Sequence, residues 1–314
     1  MNNGYRLSGL AFLTLGALAC GQQFEPVSSV SGVRVLAVQG APAYVAPGEK
    51  VSLEALAVDT LGRKLSMGWT VCAAPPTSVV NGCFAKIAED ARAGRPPVLT
   101  TADGQTKYSF TVPPDALAQI PDEARANAFV GVVTVACPGT IDWGDPANWP
   151  TTALPVRCLD PSGAPLPDDG YVISVKRVYV RDKDRNENPV IAQVTFDGAD
   201  WPENEMRDIT ACANDSSQYA DCSGSPHKPK IAVKTTPASV ERGTDQFGTS
   251  FTEEVIAQYY VTLGAFEFEV RTWDSPETTL AMRSAARGTP QTLWFVVRDD
   301  RGGVSWTTRQ INVK

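Results

Sequence analysis

Histidine is almost missing from this chain: His227 is the only one in 314 residues. Ser-His-Asp and Cys-His chemistry needs an imidazole held against a nucleophile, and His227 lies in Ser-Pro-His-Lys-Pro, a loop sequence. Catalysis of that kind is not expected, and with no Cys-x-x-Cys pair present a zinc site is not expected either. Positive charge is also short, with 28 Lys and Arg against 35 Asp and Glu and a net charge of −7. That balance excludes a nucleic-acid partner, whose phosphates are held by Lys and Arg, and excludes docking on anionic lipid by charge. No apolar run reaches the ~20 residues of a spanning helix, and no glycine-rich phosphate loop leads from a strand into a helix. The most apolar internal run, Ala128 to Cys137, reads as a buried strand. At 43% hydrophobic and 20% charged residues, the chain has enough apolar material for a packed core.

The N-terminus carries one positive charge, Arg6, and then an uncharged stretch from Leu7 to Ala19. Its length and small-residue end suit the apolar region and cleavage site of an export signal rather than a membrane span. Leu15-Gly16-Ala17-Leu18-Ala19-Cys20 resembles the lipobox of bacterial lipoproteins. The resemblance implies that residues 1–19 are removed and that Cys20 becomes the acylated first residue, the partner of the membrane being its lipid. The lipoprotein sorting pattern associates Asp after the cysteine with inner-membrane retention. Gly21 stands there, which implies the outer membrane, on its periplasmic face or at the cell surface.

Six other cysteines remain: Cys72, Cys83, Cys137, Cys158, Cys212 and Cys222. An even number in an exported chain implies disulfides, and six permit about 15 connectivities. Spacing suggests Cys72–Cys83, Cys137–Cys158 and Cys212–Cys222, each pair bracketing a turn-rich stretch; the rival is a cross-sheet Cys72–Cys137 bridge.

Short strands dominate the rest. Val51, Leu53 and Ala55 alternate with Ser52 and Glu54; Tyr108, Phe110 and Val112 alternate with Ser109 and Thr111; Phe266, Phe268 and Val270 alternate with Glu267 and Glu269. Period-2 alternation places the apolar set on a core face. Pro47-Gly48, Asp59 to Gly62 and Asp299 to Gly303 supply turns, the last between two long strands as a hairpin. Helical spacing is scarce: Phe84, Ile87, Ala88 and Ala91, ending at Gly94, predict one short helix, with further candidates in Pro114–Asn127 and Glu277–Arg287. The pattern predicts an all-β protein with two antiparallel β-sandwich domains in tandem. They are expected over residues 33–185 and 186–314, behind a flexible tether at residues 20–32, with Gly163 as an alternative boundary.

Val33 to Val38, Pro47-Gly48-Glu49, Ala55 to Asp59, Gly62-Arg63, Trp69 and Cys72 resemble the first three strands of bacterial immunoglobulin-like domains. Asn188-Pro189, Phe196-Asp197-Gly198 and Arg298 to Gly303 resemble predicted surface lipoproteins of gliding soil bacteria. These motifs are structural and imply a fold and a location, with no catalytic residue.

Two constellations are candidate sites. Asp182, Asp184, Asn186 and Asn188 fall at every second position, and oxygen ligands so spaced suit Ca²⁺. The run begins like an EF-hand loop but has Glu187 where that loop needs Gly; it also resembles the calcium linkers between cadherin domains, and as a solvated linker it needs no metal. Trp143 and Trp149, beside Asp142 and Asp145, form either a platform for a sugar or peptide or a cover packed over the Cys137–Cys158 disulfide; Trp201 poses the same question. The doublets Asp168-Asp169, Glu253-Glu254 and Asp299-Asp300 read as turns or solvated faces. The functional expectation is a non-catalytic binding or structural module of the cell envelope, with a protein or glycan partner. The competing class is a polysaccharide hydrolase with paired carboxylates, which needs no local motif.

Overall fold

The computed structural model describes residues 26–72, 80–95, 97–118, 120–149, 155–183, 185–245 and 248–314. The export segment, Cys20 and Asp184 lie outside the described residues.

The first sandwich comprises β1 (Val33–Ala41), β2 (Tyr44–Val45), β3 (Lys50–Asp59), β4 (Ser66–Cys72), α1 (Val80–Arg92), β5 (Thr100–Asp103), β6 (Lys107–Thr111), β7 (Phe129–Cys137), β8 (Thr140–Asp142), β9 (Arg157–Leu159) and β10 (Val172–Val180). One sheet has the order β1-β3-β6 and the other β2-β10-β7-β4-β5, while β8 and β9 pair as a separate hairpin. The second sandwich comprises β11 (Ile191–Phe196), β12 (Ala199–Asp200), β13 (Met206–Ile209), β14 (Lys230–Thr235), β15 (Arg242–Thr244), β16 (Ser250–Thr252), β17 (Val255–Val261), β18 (Gly264–Phe266), β19 (Val270–Thr272), β20 (Glu277–Met282), β21 (Pro290–Asp299) and β22 (Val304–Val313). Its sheets run β12-β11-β14-β20-β18 and β13-β22-β21-β17-β19.

Both sandwiches show the immunoglobulin arrangement. In each, a short early strand joins the second sheet parallel to the last strand, β2 on β10 and β13 on β22, while the other strand pairs are antiparallel. The chain is thus an all-β protein of two immunoglobulin-like sandwiches. Because β10 pairs residue by residue with β7, Asp160 to Gly170 is a loop within the first sandwich rather than a linker.

The first sandwich has three layers. Strand β7 is buried at all nine positions, which explains its unbroken apolar sequence. Val130, Val132 and Ala136 face the inner core with Trp69 and Leu53. Phe129, Val133, Val135 and Cys137 face a second core, closed from outside by Phe84 and Ile87 of α1, Trp143 and Trp149. The Cys72–Cys83 and Cys137–Cys158 disulfides hold this cover down, and Cys212–Cys222 closes a loop in the second sandwich. The cross-sheet Cys72–Cys137 bridge is overturned: Cys72 stands opposite Gly131 in the β4–β7 ladder, six residues from Cys137 on the same sheet. Gly131 is required there, since a Cβ would lie 2.5 Å from the Cys83 sulfur.

Three local expectations need correction. Glu277–Met282 is strand β20, not helix; its Thr278, Leu280 and Met282 are buried at alternate positions, and the β-branched threonines suit a strand. The run Phe266 to Val270 is not one strand: Phe266 ends β18 in one sheet and Val270 begins β19 in the other, which leaves Phe268 and Val270 each 49% exposed. The later part of the tether is not free: the Val30 N–H donates to Val261 O at 2.8 Å and the Val261 N–H to Ser28 O at 2.9 Å.

Removing the Cys137–Cys158 cross-link by paired alanine substitution is expected to lower stability by about 3 kcal/mol in urea unfolding, with the second sandwich's cystine intact.

Candidate functional site

The densest gathering of buried charge lies where the two sandwiches meet, around the turn from Asp299 to Gly303 that joins β21 to β22. Asp299 folds back on its own turn, accepting the backbone N–H of Arg301 at 2.9 Å and of Gly303 at 2.7 Å. This pins the turn and projects Arg301 out of it. The Arg301 guanidinium lies 3.1 Å from Glu253 and 3.2 Å from Glu241, donates to Arg185 O at 3.0 Å, and stacks over the rings of Phe251 (4.2 Å) and Tyr44 (5.0 Å). Tyr44 belongs to the first sandwich, so one side chain touches both sandwiches and the segment between them. From the other side, the half-buried Lys176 of β10 donates to Gly302 O at 2.6 Å.

Asn186 and Asn188 lock the joining segment to this turn. The Asn186 amide lies 3.3 Å from the Asp299 carboxylate. Asn188 donates to Gly40 O at 2.8 Å and accepts the Val304 N–H at 2.9 Å, bridging β1 and β22. Gln39 donates to Val304 O at 2.6 Å, and Arg298 reaches Leu36 O. Beside these bonds lies an apolar layer in which Val30, Leu36 and Ala37 meet Trp294, Val296 and Val304.

The three described calcium candidates, Asp182, Asn186 and Asn188, therefore do not form a ligand set. Asn188 is spent on partners at the joint, Asn186 donates its NH2 to Asp299 while its buried Oδ1 has no hydrogen bond, Asp182 is exposed, and Asp184 lies outside the described residues. Among the described residues no three His, Cys, Asp or Glu side chains gather as a metal site. The Asn188 amide is used here to satisfy backbone groups of β1 and β22 that closing the joint removes from water.

The tryptophan platform is likewise corrected. Trp143 and Trp149 are 8% and 3% exposed and stack with centroids 6.3 Å apart. The Trp149 indole donates to Trp143 O at 2.8 Å and the Trp143 indole to Thr101 Oγ1 at 3.0 Å. A Cβ on residue 68 would meet the Trp143 ring at 2.7 Å, so Gly68 makes the room. Asp142 pairs with Arg157 and Asp145 caps the Ala147 N–H, so both carboxylates shape the loop. Trp201 is fully buried in the second core, edge-on to Phe196. His227 pairs with Asp197 at 2.7 Å on an exposed turn.

The acidic doublets also divide: Glu253 and Asp299 are 3% and 8% exposed while their neighbours are not buried. Burial, with Asp299 and Glu241 nearby, pushes the Glu253 carboxyl from its ordinary 4.5 up to about 7. Arg301 acts the other way, but its charge is shared with Glu241. Burial also raises Asp299 and lowers Lys176 to about 8. The sequence pattern places Glu253 and Asp299 in turns or on solvated faces, and the contacts that bury them come from far along the chain: Arg301 is 48 positions from Glu253 and Asn186 is 113 from Asp299. The paired-carboxylate chemistry of a hydrolase needs an open cleft, whereas Glu253 and Asp299 are enclosed and bonded to the joint.

No family model matches the chain, and no curated protein matches it. Among solved structures, it is similar to the N-terminal Ig1-2 module of the Drosophila receptor protein tyrosine phosphatase DLAR, at 10% identity over 90% of this chain and 99% of that one, with a TM-score of 0.27. Red sea bream transglutaminase aligns at 7% identity over 91% of this chain and 32% of that one, with a TM-score of 0.24. Dimeric latent PorU from Porphyromonas gingivalis aligns at 12% identity, over 90% and 24%, with a TM-score of 0.22. The chain thus spans about a third or less of the length of the last two. Likenesses at these scores carry no functional argument, and the fold rests on the strand order itself.

The raised Glu253 carboxyl has a defined pH signature. The folded chain holds a proton that the unfolded chain releases between 4.5 and about 7. The stabilisation is fully present below the unfolded value and is lost as pH rises through the folded one. Urea unfolding is expected to show stability falling between about pH 5 and about pH 8, with the fall reduced in Glu253→Gln, which does not titrate and can keep only one of the two hydrogen bonds that the carboxylate accepts.

Proposed function

We propose that this chain is an exported lipoprotein, acylated on Cys20 and held at the bacterial outer membrane, where it acts as a non-catalytic binding or structural module for an envelope protein or glycan. The observation that carries the reading is the juxtaposition of two features. A lipobox-like sequence ends at Cys20, and within ten residues of it the chain is bonded to a disulfide-stapled double sandwich, Ser28 to Val261 and Glu269. Disulfides suit an oxidising compartment outside the cytoplasm, and two or more acyl chains give a lasting anchor where one does not. Among the described residues no helix is long and apolar enough to cross a membrane, so attachment in this reading falls to the lipid. A double sandwich with a bonded joint supplies a rigid scaffold for recognition by its loops, although fold alone does not assign a partner. The second reading is a polysaccharide hydrolase with paired carboxylates; Glu253 and Asp299, enclosed and bonded to the joint, would not be its acid pair.

Cell fractionation with mass spectrometry tests the anchor. The wild-type chain is expected in outer membranes with a mature N-terminus at an acylated Cys20, and Cys20→Ala is expected to lose the acyl mass and the mature N-terminus. An unmodified Cys20, or fractionation and processing identical in the variant, overturns the anchor.

A further inference from the structure

The second sandwich leaves one edge apolar. Strand β19 ends its sheet, and among the described residues no strand pairs beyond it. Phe268 and Val270 are each 49% exposed there, Trp273 follows at 41%, and Val27 is 78% exposed. Isolated apolar side chains on a surface need no explanation, but edges of sheets are ordinarily protected by charge, by proline or by a cover. Here Phe268 is held in place by the Arg271 guanidinium 4.9 Å above its ring, with Arg271 itself tied to Ser275 O at 2.8 Å.

The same edge is where the chain emerges from the N-terminal side. Ser29 bridges Val261 at the end of β17, and β19 pairs with Ile256 to Gln258 of that strand, so residues 28–30 and β19 occupy successive parts of one line. The Ser28 N–H and hydroxyl donate to Glu269 at 3.1 and 2.9 Å. Pro26 then lines a groove of about 520 Å³ together with Tyr219, Phe268 and Val270. Six residues, fully extended, span at most ~20–22 Å, so an acylated Cys20 keeps this edge within that distance of the lipid.

We propose that this edge, made of Val27, Phe268, Val270 and Trp273, seats on the lipid surface that holds the Cys20 acyl chains, so that the anchor fixes the protein's tilt as well as its attachment. The proposal rests on the lipidation reading. Its chemistry is that of a bilayer interface, where aromatic side chains settle at headgroup level. Glu267 and Glu269 flank the edge beside one Arg271, so the contact draws on apolar burial rather than on attraction to anionic lipid, which needs clustered Lys and Arg.

Hydrogen exchange by mass spectrometry tests it. The lipidated protein in vesicles of phosphatidylethanolamine with a minor fraction of phosphatidylglycerol is compared with the same mature chain exported without acyl groups. Amides of residues 267–273 are expected to exchange about tenfold more slowly on the vesicles. The protection is expected to vanish in Phe268→Ser/Val270→Ser, which still floats with the vesicles and carries the acyl mass. Acylated protein that floats with unchanged exchange at residues 267–273 overturns this proposal alone. Equal protection without vesicles also overturns it, because residues 21–25 or a second copy then cover the edge. An unacylated Cys20 overturns both readings.

Discussion

Arg301 has to keep its charge while almost surrounded by protein, and the joint between the sandwiches is organised around that requirement. A guanidinium out of water costs several kcal/mol unless its donors are all met. Here Nη1 bonds Glu241 and Glu253 and Nη2 bonds Arg185 O, while the faces of the cation rest on Tyr44 and Phe251. Glu241, Glu253 and Phe251 come from the β15–β16 hairpin of the second sandwich, while Arg185 O belongs to the joining segment and Tyr44 to the first sandwich, so the full set of contacts forms only when both sandwiches and the joining segment are in position. Such a network adds less to stability than an apolar layer of the same size. Its effect is to select one arrangement, while the adjoining contact of Leu36 and Val30 with Trp294 and Val296 supplies apolar burial.

The sandwiches differ in how they treat their outer faces. The second buries one core, around Trp201, Tyr259 and Phe295. The first adds a further layer over β7, with α1 and the tryptophan loop stapled down by two disulfides. That cover explains why residues resembling a binding platform are internal: the loop carries its own core, as long compact loops do. The exposed apolar edge of the second sandwich, at β19, is the reverse case.

Strand identity was readable wherever a strand stays in one sheet. The Ala128 to Cys137 run, the hairpin at Asp299 to Gly303 and the short-range cysteine pairs follow from local pattern, and so does the helix ending near Gly94. The pattern misled where the chain changes sheets: between Phe266 and Val270 the alternation continues while the core face does not. The joint was unreadable for another reason. Asp299 and Glu253 are acids in turn-like sequence, and only a partner brought from 48 to 113 positions away makes them buried. Asn186 and Asn188 suggested a metal because their spacing suits one; the same carbonyl and amide groups equally suit bridging two strands.

A joint of this kind makes the double sandwich a single mechanical body. Calorimetry of the protein tests this most directly. A single transition, with calorimetric and van't Hoff enthalpies in agreement, is the predicted result, resolving into two when Arg301 is replaced by Ala. Two independent transitions in the wild-type chain would contradict it.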